Sequence, residues 1–348
     1  MCACCFPGGS DAEAGQGVGG IAGDGAIISK HASNCVARFL GPDPGCFSHD
    51  AFRRTHPDTV RLTRNLEIET AVECIDVYYS PKQLSNPDSA SPSPRKPAFV
   101  VADWIEQGLP IRVIEPEPVS REQIALAHDR SYVDGVLDCV LPNGFRGRQK
   151  EVADSLPWTS GSFLSAARCA LQNGLVACSP TSGFHHAGPD SGYGYCTFNG
   201  LLVTALALKA EGKVSRVGIL DCDEHYGDGT AEIIDKLGIE WIRHVSEEYE
   251  GAAAAQRFIY TVPSVVRSFA RFDLLIYQAG ADQHIDDPLG GFLTTAELAE
   301  RDRIVFSVAK EIGIPLVWNL AGGYQQPLAR VLEIHRNTME ACVAAFVS

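Results

Sequence analysis

The run Val217-Gly218-Ile219-Leu220 ends in Asp221-Cys222-Asp223-Glu224-His225-Tyr226-Gly227-Asp228-Gly229 and leads into Thr230-Ala231-Glu232-Ile233-Ile234. An apolar run without polar alternation reads as a strand buried on both faces, and the segment after the glycines reads as a helix. Strand, small-residue loop and helix in succession form the repeating unit of an α/β fold. The polar stretch then falls at the carboxyl end of the strand, where open α/β sheets hold their ligands. Asp223 and His225 stand two residues apart, so on an extended backbone their side chains point the same way. A carboxylate and an imidazole aimed at one point form half of a metal site. The competing reading is a strand-end turn whose Asp and Gly residues cap the helix.

The same unit recurs along the chain. Strands are predicted at 74–79, 111–114, 175–178, 240–244, 273–277 and 315–319, besides the one ending at Leu220. Helices are predicted at 98–107, 120–128, 132–139, 161–172, 198–211, 254–269, 295–313 and from about 326. Ser120 and Gln123 have the spacing of a capping box. Residues 80–97, rich in Ser and Pro, read as a long loop, and 143–157 read as polar and irregular. This alternation predicts a single open, mostly parallel sheet covered by helices on both faces. Residues 1–68 lack a firm period and are set apart as an N-terminal extension, leaving 69–348 as one domain. The run Gly15-Gln16-Gly17-Val18-Gly19-Gly20 follows no strand and precedes no helix, so it is glycine-rich sequence rather than a dinucleotide loop.

Composition narrows the function. The 348 residues carry a formal net charge of −14, which disfavours direct nucleic-acid binding or adhesion to an anionic membrane. No apolar run approaches membrane-spanning length, and no basic segment with an apolar core opens the chain. Twelve cysteines include Cys2, Cys4 and Cys5 but no paired CxxC array, and a chain of this size needs no disulfide framework. A cytoplasmic protein is the expectation. Self-association is left open.

Four predicted strand ends carry unusual polar loops: Gly183-Phe184-His185-His186 with Gly192-Tyr193-Gly194-Tyr195-Cys196 behind it, the 221–229 stretch, Gln278-Ala279-Gly280-Ala281-Asp282, and Leu320-Ala321-Gly322-Gly323-Tyr324. In a parallel sheet all four lie on one edge. Asp223, His225 and Asp282 would give a metal three protein ligands and leave a position for water, the pattern of a catalytic site. Zinc suits this mixed nitrogen and oxygen set, and ferrous iron or cobalt also fits. His185 and His186 can act as acid and base, with Asp221 and Asp228 as nearby partners that orient them. Tyr324 follows two glycines, and its hydroxyl can donate to an oxyanion developing opposite the metal.

These motifs resemble the zinc-dependent histone deacetylase and acetylpolyamine amidohydrolase family, of the arginase-deacetylase fold. The resemblance spans roughly residues 73–348 and includes Gly-Tyr-Cys followed by Phe-Asn, Asp-x-Asp-x-His-x-Gly-Asp-Gly-Thr, Gly-Ala-Asp and Gly-Gly-Tyr. It implies a three-layer α/β sandwich. It also implies that Asp223, His225 and Asp282 are metal ligands and that His186 is the base that activates water and later protonates the amine. By the same resemblance His185 is the electrostatic partner of His186, and Asp221 and Asp228 back the two histidines. Tyr324 matches the residue that polarises the carbonyl. Gly194 and Tyr195 match the wall of a channel for the acyl-lysine stem, with Tyr195 where Phe is frequent and Tyr249 as the candidate facing aromatic. Arg95 or Lys96 matches a basic residue of the inner cavity that releases acetate. Structural potassium is implied around Asp221, Asp223 and His225.

The chain departs from the family pattern at Asn319-Leu320-Ala321-Gly322-Gly323-Tyr324, where a longer glycine run is common. Arginase-type two-metal chemistry would want further carboxylates where Gly227 and His284 stand, so one metal is expected and His284 is a rim or structural residue. The leading substrate is N-acetyl-lysine in a protein or peptide. The runner-up is an acetylated polyamine, for which a Glu at the channel rim would be expected seven residues after Asp282. That position is Leu289, with Asp286 and Asp287 close enough to attract a cation. A non-catalytic acyl-lysine binding module is the third reading, and Tyr324 with both histidines speaks against it.

Overall fold

Seven short strands build one sheet among the described residues: β1 (Ile75–Tyr78), β2 (Ile111–Ile114), β3 (Val176–Cys178), β4 (Val217–Asp221), β5 (Ile242–Ser246), β6 (Leu274–Gln278) and β7 (Leu316–Asn319). Their order is β2-β1-β3-β7-β6-β4-β5, and each neighbouring pair is parallel. The computed structural model describes residues 71–251 and 253–348. The expected extension 1–68, with its glycine-rich run and Cys2, Cys4 and Cys5, lies outside the described residues.

Nine α-helices are described: α1 (Lys96–Glu106), α2 (Arg121–Ile124), α3 (Arg130–Leu137), α4 (Lys150–Asn173), α5 (Gly200–Ala210), α6 (Asp228–Leu237), α7 (Ala254–Arg267), α8 (Thr295–Ile312) and α9 (Ala329–Phe346). Successive strand residues feed opposite layers because their side chains alternate across the sheet. Leu275, Tyr277, Leu220 and Trp318 enter one core with Trp104, Val305 and Phe346, from α1, α8 and α9. Leu274, Ile276, Ile219 and Val317 enter the other with Phe163 and Leu201, from α4 and α5. Every residue of β4, β6 and β7 is buried, as unalternating apolar runs require. Each of these Leu and Ile side chains contributes roughly 2–3 kcal/mol by burial.

The capping box at Ser120 is formed, with Gln123 answering the Ser120 backbone N–H. The prediction for 143–157 is corrected. Its second half belongs to α4, which continues through Pro157. Lys150 and Asp154 pair on the exposed face at 2.6 Å while Val152 and Ala153 are buried, so the polar character of this stretch is that of one helix face. The carbonyl of Pro157 accepts the Val119 N–H at 3.0 Å, which ties the helix to the segment before α2.

Candidate active site and metal centre

Strands β3, β7, β6 and β4 lie side by side, so the four polar loops that follow them meet at one edge of the sheet. Asp223 and His225 are not on extended backbone as expected. Strand β4 stops at Asp221, and 223–225 form a bend. Within the bend the His225 backbone N–H donates to Asp223 Oδ1 at 3.1 Å, and the His225 ring Nδ1 lies 3.2 Å from the same oxygen. Asp282 arrives from β6, and its Oδ1 accepts the Glu224 backbone N–H at 3.2 Å. Ligand atoms of Asp223, His225 and Asp282 all lie within 4.8 Å of one another.

This donor set fits a metal ion. Asp282 Oδ2 is buried and accepts no hydrogen bond. A carbon added at Gly322 would stand 1.9 Å from that oxygen, so the glycine keeps room beside it. Burial and the adjacent Asp223 push the Asp282 carboxyl up to about 7, while Asp223 and Asp282 together raise His225 to about 11. Two buried carboxylates and one imidazole are a mixed oxygen and nitrogen donor set that suits a borderline divalent cation. Potassium, expected through the backbone around this loop, would leave the Asp221 side chain to its own partners. Both of its oxygens already accept hydrogen bonds, Oδ2 from His185 at 2.9 Å and Oδ1 from Gln278 at 2.8 Å.

The paired histidines follow β3. His185 Nδ1 lies 2.9 Å from Asp221 Oδ2, and His186 Nδ1 lies 2.8 Å from Asp228 Oδ1. A carboxylate only accepts, so each Nδ1 carries the proton and each Nε2 is turned to the other side of its ring. Burial alone would lower His185, but Asp223 and Asp221 outweigh it and raise it to about 9. Burial and the neighbouring His185, 4.1 Å away between ring centres, lower His186 instead. The two imidazoles are therefore pushed in opposite directions.

Gly194 is constrained twice. Its φ is +55°, and a Cβ there would stand 2.6 Å from the His186 ring. The Tyr195 ring lies 5.8 Å from Tyr324 and 5.8 Å from Phe145. Tyr193, half exposed, lies 5.1 Å from the His186 ring. Tyr249 is not the facing aromatic. It packs on Phe258 and Phe292, and its hydroxyl donates to Glu247 at 2.8 Å. Phe145, which lies in no recognisable motif, gave no sequence signal.

Of the two basic candidates, Arg95 is exposed and Lys96 is fully buried. Lys96 Nζ donates to the carbonyls of Ala321 at 2.6 Å and Gly322 at 2.9 Å, beneath the loop that ends in Tyr324. That loop holds Ala321 at φ +51°, the left-handed conformation a glycine would take more easily. Strain of roughly 1–2 kcal/mol is the expected cost. Burial, with Asp282 and Asp223 adding, holds the Tyr324 hydroxyl well above its ordinary pKa, so it stays a donor.

Of the residues expected at a channel rim, Leu289 is 47% exposed and Asp286 is exposed. Asp287 is not free to attract a cation, because it is buried and accepts the backbone N–H of Tyr324 and of Leu289. His284 is structural, with Nε2 at 2.9 Å from Thr295 Oγ1 and Nδ1 accepting the Asp286 N–H at 3.0 Å. His128 went unnoticed in the sequence. Its Nδ1 lies 2.8 Å from Gly188 O and its Nε2 accepts the Asn199 N–H at 2.8 Å, joining the histidine loop to the start of α5.

A family model described as the histone deacetylase domain matches residues 93–238 and 237–339. An uncharacterised protein of Picosynechococcus sp. is 26% identical over 288 residues, covering 72% of this chain and 94% of its own length. Histone deacetylase 2 of Arabidopsis thaliana is 26% identical over 327 residues, covering 80% of this chain and 83% of its own. Among solved structures, the HDA15 HD domain superposes with a TM-score of 0.66 at 18% identity, over 80% of this chain and 91% of that one. Acetylpolyamine aminohydrolase from Burkholderia pseudomallei superposes with a TM-score of 0.59 at 20% identity, over 78% of this chain and 99% of that one. At these identities the superpositions establish the three-layer fold.

Proposed function

Because the chain belongs to the histone deacetylase domain family, we propose that it is a zinc-dependent amidohydrolase that removes acetyl groups from N-acetyl-lysine in proteins or peptides. The observation that carries this reading is the pair of His–Asp couples beside the buried Asp223, His225 and Asp282 donor set. Held by those three residues, zinc would supply Lewis-acid polarisation of the amide carbonyl and acidify water. Ferrous iron or cobalt would suit the same donors.

His186, neutral and anchored through Nδ1 by Asp228, takes a proton from the attacking water on Nε2 and returns it to the departing amine nitrogen. His185, anchored through Nδ1 by Asp221, stands beside the place where negative charge builds up and helps to offset it. The Tyr324 hydroxyl donates to the carbonyl oxygen as it becomes an oxyanion. Gly194 and Tyr195 wall the acyl-lysine stem, and the exposed Leu289 forms an uncharged rim. The buried free thiols of Cys178, Cys196, Cys222 and Cys342 suit a reducing, cytoplasmic setting.

Acetylated polyamines are the second reading, favoured by the exposed Asp286 carboxylate near the rim. Amine release by zinc-loaded protein, with an acetyl-lysine peptide and acetylputrescine tested side by side, separates the two. Preference for the peptide supports the protein-deacetylase reading. Preference for acetylputrescine overturns it in favour of the second, and turnover of neither with metal bound points to a binding role or another acyl group.

A further inference from the structure

Arg301 and Asp302 of α8 form an ion pair that is completely shielded from solvent, with Arg301 Nε 2.8 Å from Asp302 Oδ1. Asp302 is also satisfied by the hydroxyls of Tyr277 and Thr338. The guanidinium reaches past its own helix. Its Nη1 donates to the Gly280 carbonyl at 2.8 Å, to Gln283 Oε1 at 2.9 Å and to the Cys222 carbonyl at 3.3 Å. Cys222 immediately precedes Asp223, while Gly280 and Gln283 flank Asp282. One nitrogen thus grips the loops after β4 and β6 at the residues bordering both carboxylates of the donor set.

The two loops touch at that point. A Cβ at Gly280 would stand 2.6 Å from the Cys222 carbonyl oxygen and 2.7 Å from Asp223 Cα. On the other side of this contact the Glu224 N–H reaches Asp282 Oδ1. The loops are therefore fastened to each other from two directions, and Arg301 is the fastening that comes from the core. A buried ion pair adds little net stability compared with apolar groups of the same size, because desolvation offsets the attraction. Stability is thus a weak account of this arginine, whereas outer groups that orient metal ligands have large effects on metal retention.

We propose that Arg301 is a positioning residue that sets the spacing of Asp223 and Asp282 and so slows the loss of the bound metal. The inference rests on the metal-dependent reading above. Arg301→Lys keeps the charge but lacks the forked donors, and the double variant Arg301→Met with Asp302→Leu removes the pair without stranding a charge. Zinc transfer from the loaded full-length protein to a chelator, and the melting temperature of the metal-stripped protein, are measured for both variants and the parent. In both variants zinc release accelerates by about tenfold or more, and the stripped double variant melts within about 3 °C of the parent. Release within about twofold of the parent in a folded variant overturns the proposal. Failure of the double variant to fold also overturns it, since the pair would then serve the core. A parent that binds no zinc overturns the metal-dependent reading itself, which the variants do not address.

Discussion

The Asp287 carboxylate accepts the backbone N–H of Tyr324 at 2.8 Å. The residue that the sequence offers as a cation-attracting rim group is thereby a clamp on the loop that carries the tyrosine. Asp287→Asn keeps the size and loses an acceptor oxygen. Loosening Tyr324 by about 1.4 kcal/mol should lower kcat roughly tenfold, with KM for a cationic acetylated substrate little changed. Steady-state kinetics with an acetyl-lysine peptide check this. A raised KM with intact kcat would return Asp287 to the rim role.

His186 works as a base only when neutral. Burial, then the charge of His185, lowers its pKa, so the acid limb of kcat should lie below the ordinary imidazole value of about 6.5. Asp228 acts in the opposite direction and raises it. Asp228→Asn should therefore move the limb to still lower pH and reduce the plateau rate by about tenfold through loss of the Nδ1 anchor. A rate profile from about pH 4 to about pH 8 measures both effects. A limb that moves upward would contradict the assignment.

His128 links pH to stability. Its Nε2 must accept from Asn199, so the folded protein needs it neutral, and burial lowers its pKa to about 4. The unfolded chain binds this proton near pH 6.5, so it holds more protons than the folded chain between the two values. The contribution of about 3 kcal/mol is present above pH 6.5 and is lost as pH falls towards 4. Chemical denaturation of the parent and of His128→Gln at several pH values tests this. The variant should show a shallower fall over that window, and identical slopes would remove His128 as the cause.

Much of the site was legible because its chemistry is written in short motifs. Asp223 and His225 sit in one bend, His185 and His186 are adjacent, and Tyr324 follows its glycines. Arg301, His128 and Phe145 were not legible. A lone arginine, histidine or phenylalanine carries no spacing signal, and each acquires its contacts from segments remote in the chain. Pro157 misled in a different way. The stretch 143–157 that it ends reads as polar and irregular, yet Val152, Phe163 and Leu164 are buried along α4, which is continuous through Pro157.

From the sequence alone came the alternation of strands and helices, the polar loops at strand ends and the identity of the metal-type donors, because each depends on residues close together in the chain. Tertiary structure decided what depends on strand order. It set β3, β7, β6 and β4 side by side, chose Lys96 over Arg95 for the buried position, turned Asp287 inward to Tyr324 and sent Tyr249 away from Tyr195. Those outcomes follow from burying two apolar layers on one parallel sheet, a condition satisfied by the whole chain at once rather than by any one stretch of it.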